Sequence, residues 1–444
     1  MNHNIGKWKW GVMAVVTASW IAGGSSAAHG SGFALLEQSA KELGSAYAGG
    51  AAAAEDASTI YFNPAGLVLI PGGQLVGAAH GIFPVAHFRN DNSRHVTGAP
   101  LTGDNDDGGQ MVPVAALFYS RQVSDRLHLG IGLYSPFGLS TNYDPSWVGR
   151  YHAVKSELVT LNINPAIAYR VNDHLSLGAG VDVQYAKAKL SSAIDFGTIF
   201  GAAGLPGYTP QGNDGMVTMK GDSWGVGFNL GMLYQFTPGT RVGITYRSRI
   251  DHTLKGSADF SGTPSVNPSG RFVASGVKAD VTLPDSASFS VWHNITKDFA
   301  VTTDFTWTDW STFDELRIRF DNPSERDAVT TTSWHNTWRY SLGLIYAPGP
   351  WTVRAGTAYD QTPVPSAQYR TPRIPDNDRF WASFGFGYKF GDDLAVDVGY
   401  THIFVNDPRI SKPLDEENRL RGALNGSYTA RVDLVGLQLA WNFR

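Results

Sequence analysis

Residues 175–185 read LSLGAGVDVQY, and their alternation decides the fold class. Leu175, Leu177, Ala179, Val181, Val183 and Tyr185 fall on one face of an extended chain. Ser176, Gly178, Gly180, Asp182 and Gln184 fall on the other. Strand side chains alternate with period 2, so one face is apolar and the other small or polar. The pattern recurs in 127–134, 299–308, 380–390 and 394–401. In a soluble sheet the apolar face covers a core; in a membrane barrel it faces lipid. Alternation alone allows both.

The connections separate them. Short polar turns recur at 123–126, 171–174, 237–240, 294–298, 348–350 and 391–393. Longer polar or Gly/Pro-rich segments lie between them, at 90–109, 135–149, 195–215, 261–270, 321–330, 361–378 and 404–426. Six turns and seven loops join 14 strands, an even number, with the turn–loop asymmetry of outer-membrane barrels. The last strand carries Val435, Leu437, Leu439, Trp441 and Phe443 on one face. It resembles the terminal signal read by the outer-membrane barrel-assembly machinery, although Arg444 follows the final aromatic.

Composition agrees. The 444 residues include 50 Gly, 13 Trp, 18 Tyr and 23 Phe, and only 17% are charged. Glycine lets strands bend around a closed sheet, and aromatics sit at lipid–water interfaces. With no Cys, disulfides, thiolate metal sites and Cys nucleophiles are excluded. A net charge of −4 without a Lys/Arg block points away from nucleic acid.

Lys7 and Lys9 precede an apolar run over 12–22 that is too short to span a bilayer, and Ala28-His29-Gly30 fits a small-residue cleavage site. The expected organisation is a signal peptide over 1–30, an N-terminal hatch over 31–72 and a barrel over 73–444. After residue 30 no apolar run is long enough for a transmembrane helix.

The segment 31–66, SGFALLEQSAKELGSAYAGGAAAAEDASTIYFNPAG, precedes the first strand. Leu36, Ala40, Leu43 and Tyr47 recur at helical spacing, Gly44 and Gly49-Gly50 interrupt, and Asp56 and Ser58 are candidate caps. Asn63-Pro64 reads as a turn. Short helices of small residues suit a plug inside a lumen.

This segment resembles the hatch of the FadL/TodX family of outer-membrane hydrophobic-compound transporters. Further matches are SPFGLSTNYDPSWVGRYHAVKSELVTLNINPAIAYRVN (135–172), VDVQYAKAKL (181–190), LPDSASFS (283–290) and RAGTAYDQTPVPSAQYRTPRIPDNDRFW (354–381). The resemblance spans the mature chain. It implies an all-β membrane protein, a 14-stranded antiparallel barrel plugged by a partly helical N-terminal hatch. It also implies passive transport of long-chain fatty acids, or alternatively aromatic hydrocarbons. Ligand is captured at an extracellular groove, passed to an internal site and released laterally through a kinked third strand.

Carried over by motif, the ligand path in the hatch is Gly32, Phe33, Asn63, Pro64 and Ala65. The lateral opening is placed at Pro136, Phe137 and Gly138 or, lower on the same strand, at Gly130 and Gly132. Pro136 cannot donate a ladder hydrogen bond and Gly138 tolerates a bend. Phe196, Ile199, Phe200 and Leu205 either form an extracellular groove or pack on themselves. Lys187, Arg339 and Arg354 are carboxylate-binding candidates. Strict alternation from Leu175 turns Lys187 outward, and a basic residue that the family carries before Trp334 is replaced by Thr330–Thr332.

The competing class is an outer-membrane lipid-modifying enzyme. No Gly-x-Ser-x-Gly elbow and no HExxH are present. Neither a catalytic residue nor a metal or cofactor is expected. The expected partners are a hydrophobic small molecule, outer-membrane lipid and lipopolysaccharide, and the assembly machinery, with the chain a monomer.

Overall fold

The computed structural model describes residues 32–267 and 269–443; the signal-peptide assignment over 1–30 lies outside the described residues. An N-terminal arm leads into four short helical turns. These are α1 (Ala40–Leu43), α2 (Gly50–Ala53), α3 (Thr59–Phe62) and a 3-10 turn, Pro64–Leu69. The Leu36–Tyr47 spacing does not become one helix. Ala46 and Tyr47 adopt positive φ, which ends α1 after a single turn and lets the chain follow the curved wall.

Fourteen spanning strands follow. They are β1 (Gly73–Asn90), β2 (Val112–Gln122), β3 (Leu127–Tyr134 and Gly138–Asn142), β4 (Lys155–Arg170), β5 (Leu175–Asp195) and β6 (Asp214–Thr237), then β7 (Thr240–Arg247 and Ile250–Ser261), β8 (Ser275–Leu283 and Ser286–Asn294), β9 (Phe299–Thr308 and Glu315–Phe320), β10 (Ala328–Thr331 and Thr337–Tyr346), β11 (Trp351–Asp360), β12 (Arg379–Phe390), β13 (Leu394–Val405) and β14 (Leu424–Phe443). Each pairs antiparallel with its neighbours, and β1 closes on β14 from Gly73↔Phe443 to Asn90↔Gly426, so the sheet closes on itself as a barrel.

Burial settles what alternation left open. On β5 the polar Asp182 and Gln184 are buried, while Leu177 and Val181 are exposed; Gln438 on β14 is buried between exposed Leu437 and Leu439. The polar face looks inward and the apolar face outward, the reverse of a soluble sheet. Aromatics gather near the short turns: the Trp351 and Tyr388 ring centroids lie 4.3 Å apart, tilted, and Tyr119 stacks on Phe443 at 5.9 Å.

Many lumenal glycines are sockets for the hatch rather than bends. A Cβ on Gly243 would lie 1.8 Å from the Ala51 carbonyl oxygen, and one on Gly356 2.2 Å from that of Ser45. Only a missing side chain lets hatch backbone approach the wall so closely.

Candidate functional site

The third strand breaks at Ser135-Pro136-Phe137. Below the break Tyr134 pairs with Asn162; above it Gly138 pairs with Val159. Four steps on β3 therefore oppose three on β4, a one-residue bulge. On its other side β3 meets β2 only from Leu117↔Leu133 to Gln122↔His128. Pro113, higher on β2, has no N–H to offer. The wall closes again above, where Asn142 N–H donates to the Gly108 carbonyl at 3.1 Å. Between lies an opening bounded by β2 and the break.

The break is at Pro136-Phe137-Gly138, not lower. Gly130 and Gly132 sit in regular pairs with Ser120 and Phe118. Gly130 instead makes room for Ile60 of the hatch, which a Cβ would approach to 2.6 Å.

The N-terminal arm repairs the broken ladder. Leu35 N–H donates to the Pro136 carbonyl at 2.9 Å, and Gly138 N–H donates to the Phe33 carbonyl at 3.0 Å. Gln38 Nε2 donates to the Ser135 carbonyl at 2.7 Å. Gly32 holds a positive φ, and its N–H donates to Asp376 at 3.1 Å. This turns Phe33 into an aromatic box of Phe137, Trp310, Phe313 and Trp334, with ring centroids 4.8–6.1 Å away. Trp310 and Phe313 come from the break in β9 and Trp334 from the break in β10. Three strands thus lose their ladders to build one box.

Two cavities meet at Phe33. One, of about 100 Å³, is lined by apolar side chains that include Leu190, Met219, Leu254, Val277 and Ile318. The other, of about 650 Å³, runs from Trp381, Ile403 and Leu434 in the lumen to Val112, Val114 and Val159 at the opening. Phe33, Leu139, Glu157 and Leu158 wall both. A third space, a cleft of about 400 Å³ among the long loops, contains Ile199, Phe272, Arg271, Arg421 and Arg373.

Asn63, Pro64 and Ala65 lie away from this path. Asn63 Nδ2 donates to the Ala51 carbonyl at 2.6 Å and to that of Met232 on β6 at 3.0 Å, while its Oδ1 caps Ala65 N–H. The turn packs against Gly178 and Gly231. It anchors the hatch to β5 and β6, two and three strands along the wall from the break, and a side chain holding two carbonyls and a cap has no donor left for a ligand.

The groove residues also need correction. Phe196 and Phe200 lie on α4 (Phe196–Ala202) and are buried against Phe272 from the neighbouring loop. Leu205 packs on the same cluster. Of the four, only Ile199 lines the cleft. Two loops shield each other's aromatics here, so the apolar composition is a small core.

None of the three carboxylate candidates is free in the lumen. Lys187 is exposed on the outer face beside Val159; the alternation, not the motif, gives its direction. Arg354 is consumed by the hatch, pairing with Glu55 at 3.1 Å and Asp397 at 2.9 Å. Lys41 extends this network to Asp56 at 2.8 Å. Arg339 donates to the Ala46 carbonyl at 2.7 Å and lies over Trp381.

A residue not singled out in the sequence fits better. Arg373 is buried and lines both the apolar cavity and the cleft. Its guanidinium donates to neutral oxygens only: the Lys155 carbonyl and Ser156 Oγ at 3.0 Å, and the Ser191 carbonyl at 3.3 Å. Burial and the nearby Arg421 lower it to about 9. Among the described residues no carboxylate pairs with it. It belongs to the RTPRIPDNDRFW stretch already prominent in the sequence, but its exposure to two cavities is a tertiary fact.

The sequence profile described as outer membrane protein transport protein (OMPP1/FadL/TodX) matches residues 21–443. The chain is 31% identical to outer membrane protein P1 of Haemophilus influenzae, over 95% of this chain and 96% of that one. It is 31% identical to the long-chain fatty acid transport protein of an Escherichia coli O6:H1 strain, over 85% and 88%. A Pseudomonas aeruginosa FadL homologue superposes with a TM-score of 0.84 at 26% identity, covering 93% of this chain and 100% of that one. The chain therefore belongs to the FadL/TodX family, transporters of hydrophobic compounds in the Gram-negative outer membrane.

Proposed function

We propose that this protein carries long-chain fatty acids passively into the outer membrane, and that Phe33 stands between an internal binding pocket and a lateral exit. The observation that carries this is the shared wall: Phe33, Leu139, Glu157 and Leu158 bound both cavities. The cleft among the loops receives the ligand. Arg373 takes its carboxylate at the boundary of cleft and pocket, and the alkyl chain fills the apolar space against Phe33. Displacement of the arm joins pocket to exit, and the ligand leaves between β2 and the break in β3.

The physical need for such a route is large. Moving a 16-carbon chain from apolar surroundings into water costs on the order of 10 kcal/mol, at about 0.8 kcal/mol per methylene. A water-filled pore exacts that cost, and an apolar pocket opening on lipid avoids it. The test is identification of the co-purifying ligand by mass spectrometry after organic extraction, with uptake of labelled palmitate by cells expressing the chain. Fatty acid in the extract and uptake above the empty host support the reading; monoaromatic compounds alone redirect the substrate to hydrocarbons.

A further inference from the structure

The exit cavity contains a buried carboxyl that the path as described does not use. Glu37 lies between the arm and α1, is 5% exposed, and lines the cavity with Phe33, Leu36, Trp381 and Arg379. Its Oε2 has no hydrogen-bond partner. Arg379 and Arg339 face it from β12 and β10, and Tyr47 and Tyr61 from the hatch. Both arginines are committed elsewhere: Arg379 to Asp376 at 2.6 Å, with Asp360 also near, and Arg339 to the Ala46 carbonyl at 2.7 Å. Among the described residues no ion pair reaches Glu37. Burial pushes it up to about 7, so around neutral pH it is protonated about half of the time, where an exposed glutamate is ionised.

A departing fatty acid meets a problem at this place. Its carboxylate is matched by charge at Arg373, but hydrocarbon solvates an ionised carboxylate very poorly. The ligand enters lipid as the neutral acid, and the proton must reach it before it leaves the cavity. Two carboxyls line the cavity: Glu157, nearer the opening, pairs with Lys155 at 2.7 Å, while Glu37, at the lumenal end, has a buried oxygen with no hydrogen-bond partner.

We propose that Glu37 donates this proton. This rests on the fatty-acid reading above. The O–H bond at Glu37 breaks and an O–H bond forms on a ligand carboxylate oxygen, so the ligand becomes neutral and Glu37 anionic. The charges of Arg379 and Arg339 hold the new carboxylate. A proton from hydronium in the cavity water then restores the acid. One proton enters the membrane with each fatty acid, and a neutral ligand needs none.

The test compares palmitate with hexadecanol, its uncharged analogue, in cells of a Gram-negative host lacking its own fatty-acid channel. Full-length wild type, Glu37→Gln and Glu37→Asp are compared at pH 6 to 8, with barrel assembly checked by heat-modifiable mobility. Glu37→Gln keeps the size and polarity of the side chain but carries no transferable proton. Expected is a fall of about tenfold in initial palmitate uptake at pH 7.5, a smaller defect at pH 6, hexadecanol uptake within twofold of wild type, and partial recovery in Glu37→Asp. Equal losses for both ligands would make Glu37 a structural residue and overturn the proposal, as would unchanged palmitate uptake. Wild-type palmitate uptake no better than the empty host overturns the fatty-acid reading itself, and the donor with it.

Discussion

Leu35 and Pro136 are joined by a backbone hydrogen bond of 2.9 Å, from the Leu35 N–H to the Pro136 carbonyl. The carbonyl belongs to a strand that has lost its own ladder, and the donor belongs to the N-terminal arm, which is not part of the barrel wall. The arm therefore lies along the break as a substitute strand. When it is seated, the backbone groups of the break are satisfied and Phe33 is boxed. Without it the same groups would face the opening, as an unpaired edge does.

Phe33→Ala should loosen the arm without undoing the barrel. Truncating a phenylalanine packed among aromatics costs about 3–5 kcal/mol, and the strands do not depend on it. Expected are faster amide exchange over 32–38 and 136–138, at least tenfold weaker binding of a fluorescent fatty acid, and unchanged heat-modifiable mobility. Unaltered ligand affinity would remove Phe33 from the path.

Much of this was legible in the chain. The alternation at 175–185 and the sorting of short turns from long loops lead to fourteen strands, and Pro136 marks the break. What was hidden depends on distant partners. Arg354 looks like a free lumenal cation until Glu55, 299 positions away, is placed beside it. Phe196 and Phe200 look like a sticky surface until Phe272 covers them. Lys187 lies in a family motif, yet its direction follows from the strand period alone. Glycine in a strand suggests a bend, yet Gly243 and Gly356 are gaps shaped for hatch carbonyls.

Those gaps give a second prediction. In Gly243→Ala the new methyl would occupy the position of the Ala51 carbonyl oxygen, 1.8 Å away, far inside van der Waals contact. Barrel closure rests on the ladder and survives, but α2 cannot seat. Ion conductance in planar bilayers should rise above the wild-type level, and protease should reach the hatch. A variant with wild-type conductance would mean that the hatch is not held at this socket.

Arg373 distinguishes charge from shape. Hydrogen bonds to a charged group contribute about 1.5–3 kcal/mol, roughly ten- to hundredfold in affinity. Arg373→Gln should weaken palmitate binding by at least tenfold and leave hexadecanol binding within twofold, measured by calorimetry in detergent. Equal weakening of both ligands would assign Arg373 to loop packing through Ser156 and Ser191 instead.

The hatch carries opposing titrations, and their sum fixes its pH response. Burial raises Asp56 and Glu55, but Lys41 and Arg354 outweigh it and hold them below the ordinary carboxylate range. They support the seated hatch above roughly pH 4, and that support is lost as pH falls through their folded values. Glu37 and Glu42 behave oppositely. Burial pushes Glu37 up to about 7, and burial with the Glu55 charge pushes Glu42 up to about 8. Folded, they keep protons that the unfolded chain releases near pH 4.5, so seating weakens as pH rises toward 7 and 8. The hatch should therefore be most firmly seated near pH 5, by hydrogen exchange over 37–58 corrected for intrinsic rates, and looser at pH 8 than at pH 6. Glu42→Gln removes one of the two carboxyls that hold protons in the seated hatch and should flatten the alkaline side of the profile. Protection that increases from pH 6 to 8 in the wild type would mean that Glu37 and Glu42 are ionised in the seated hatch.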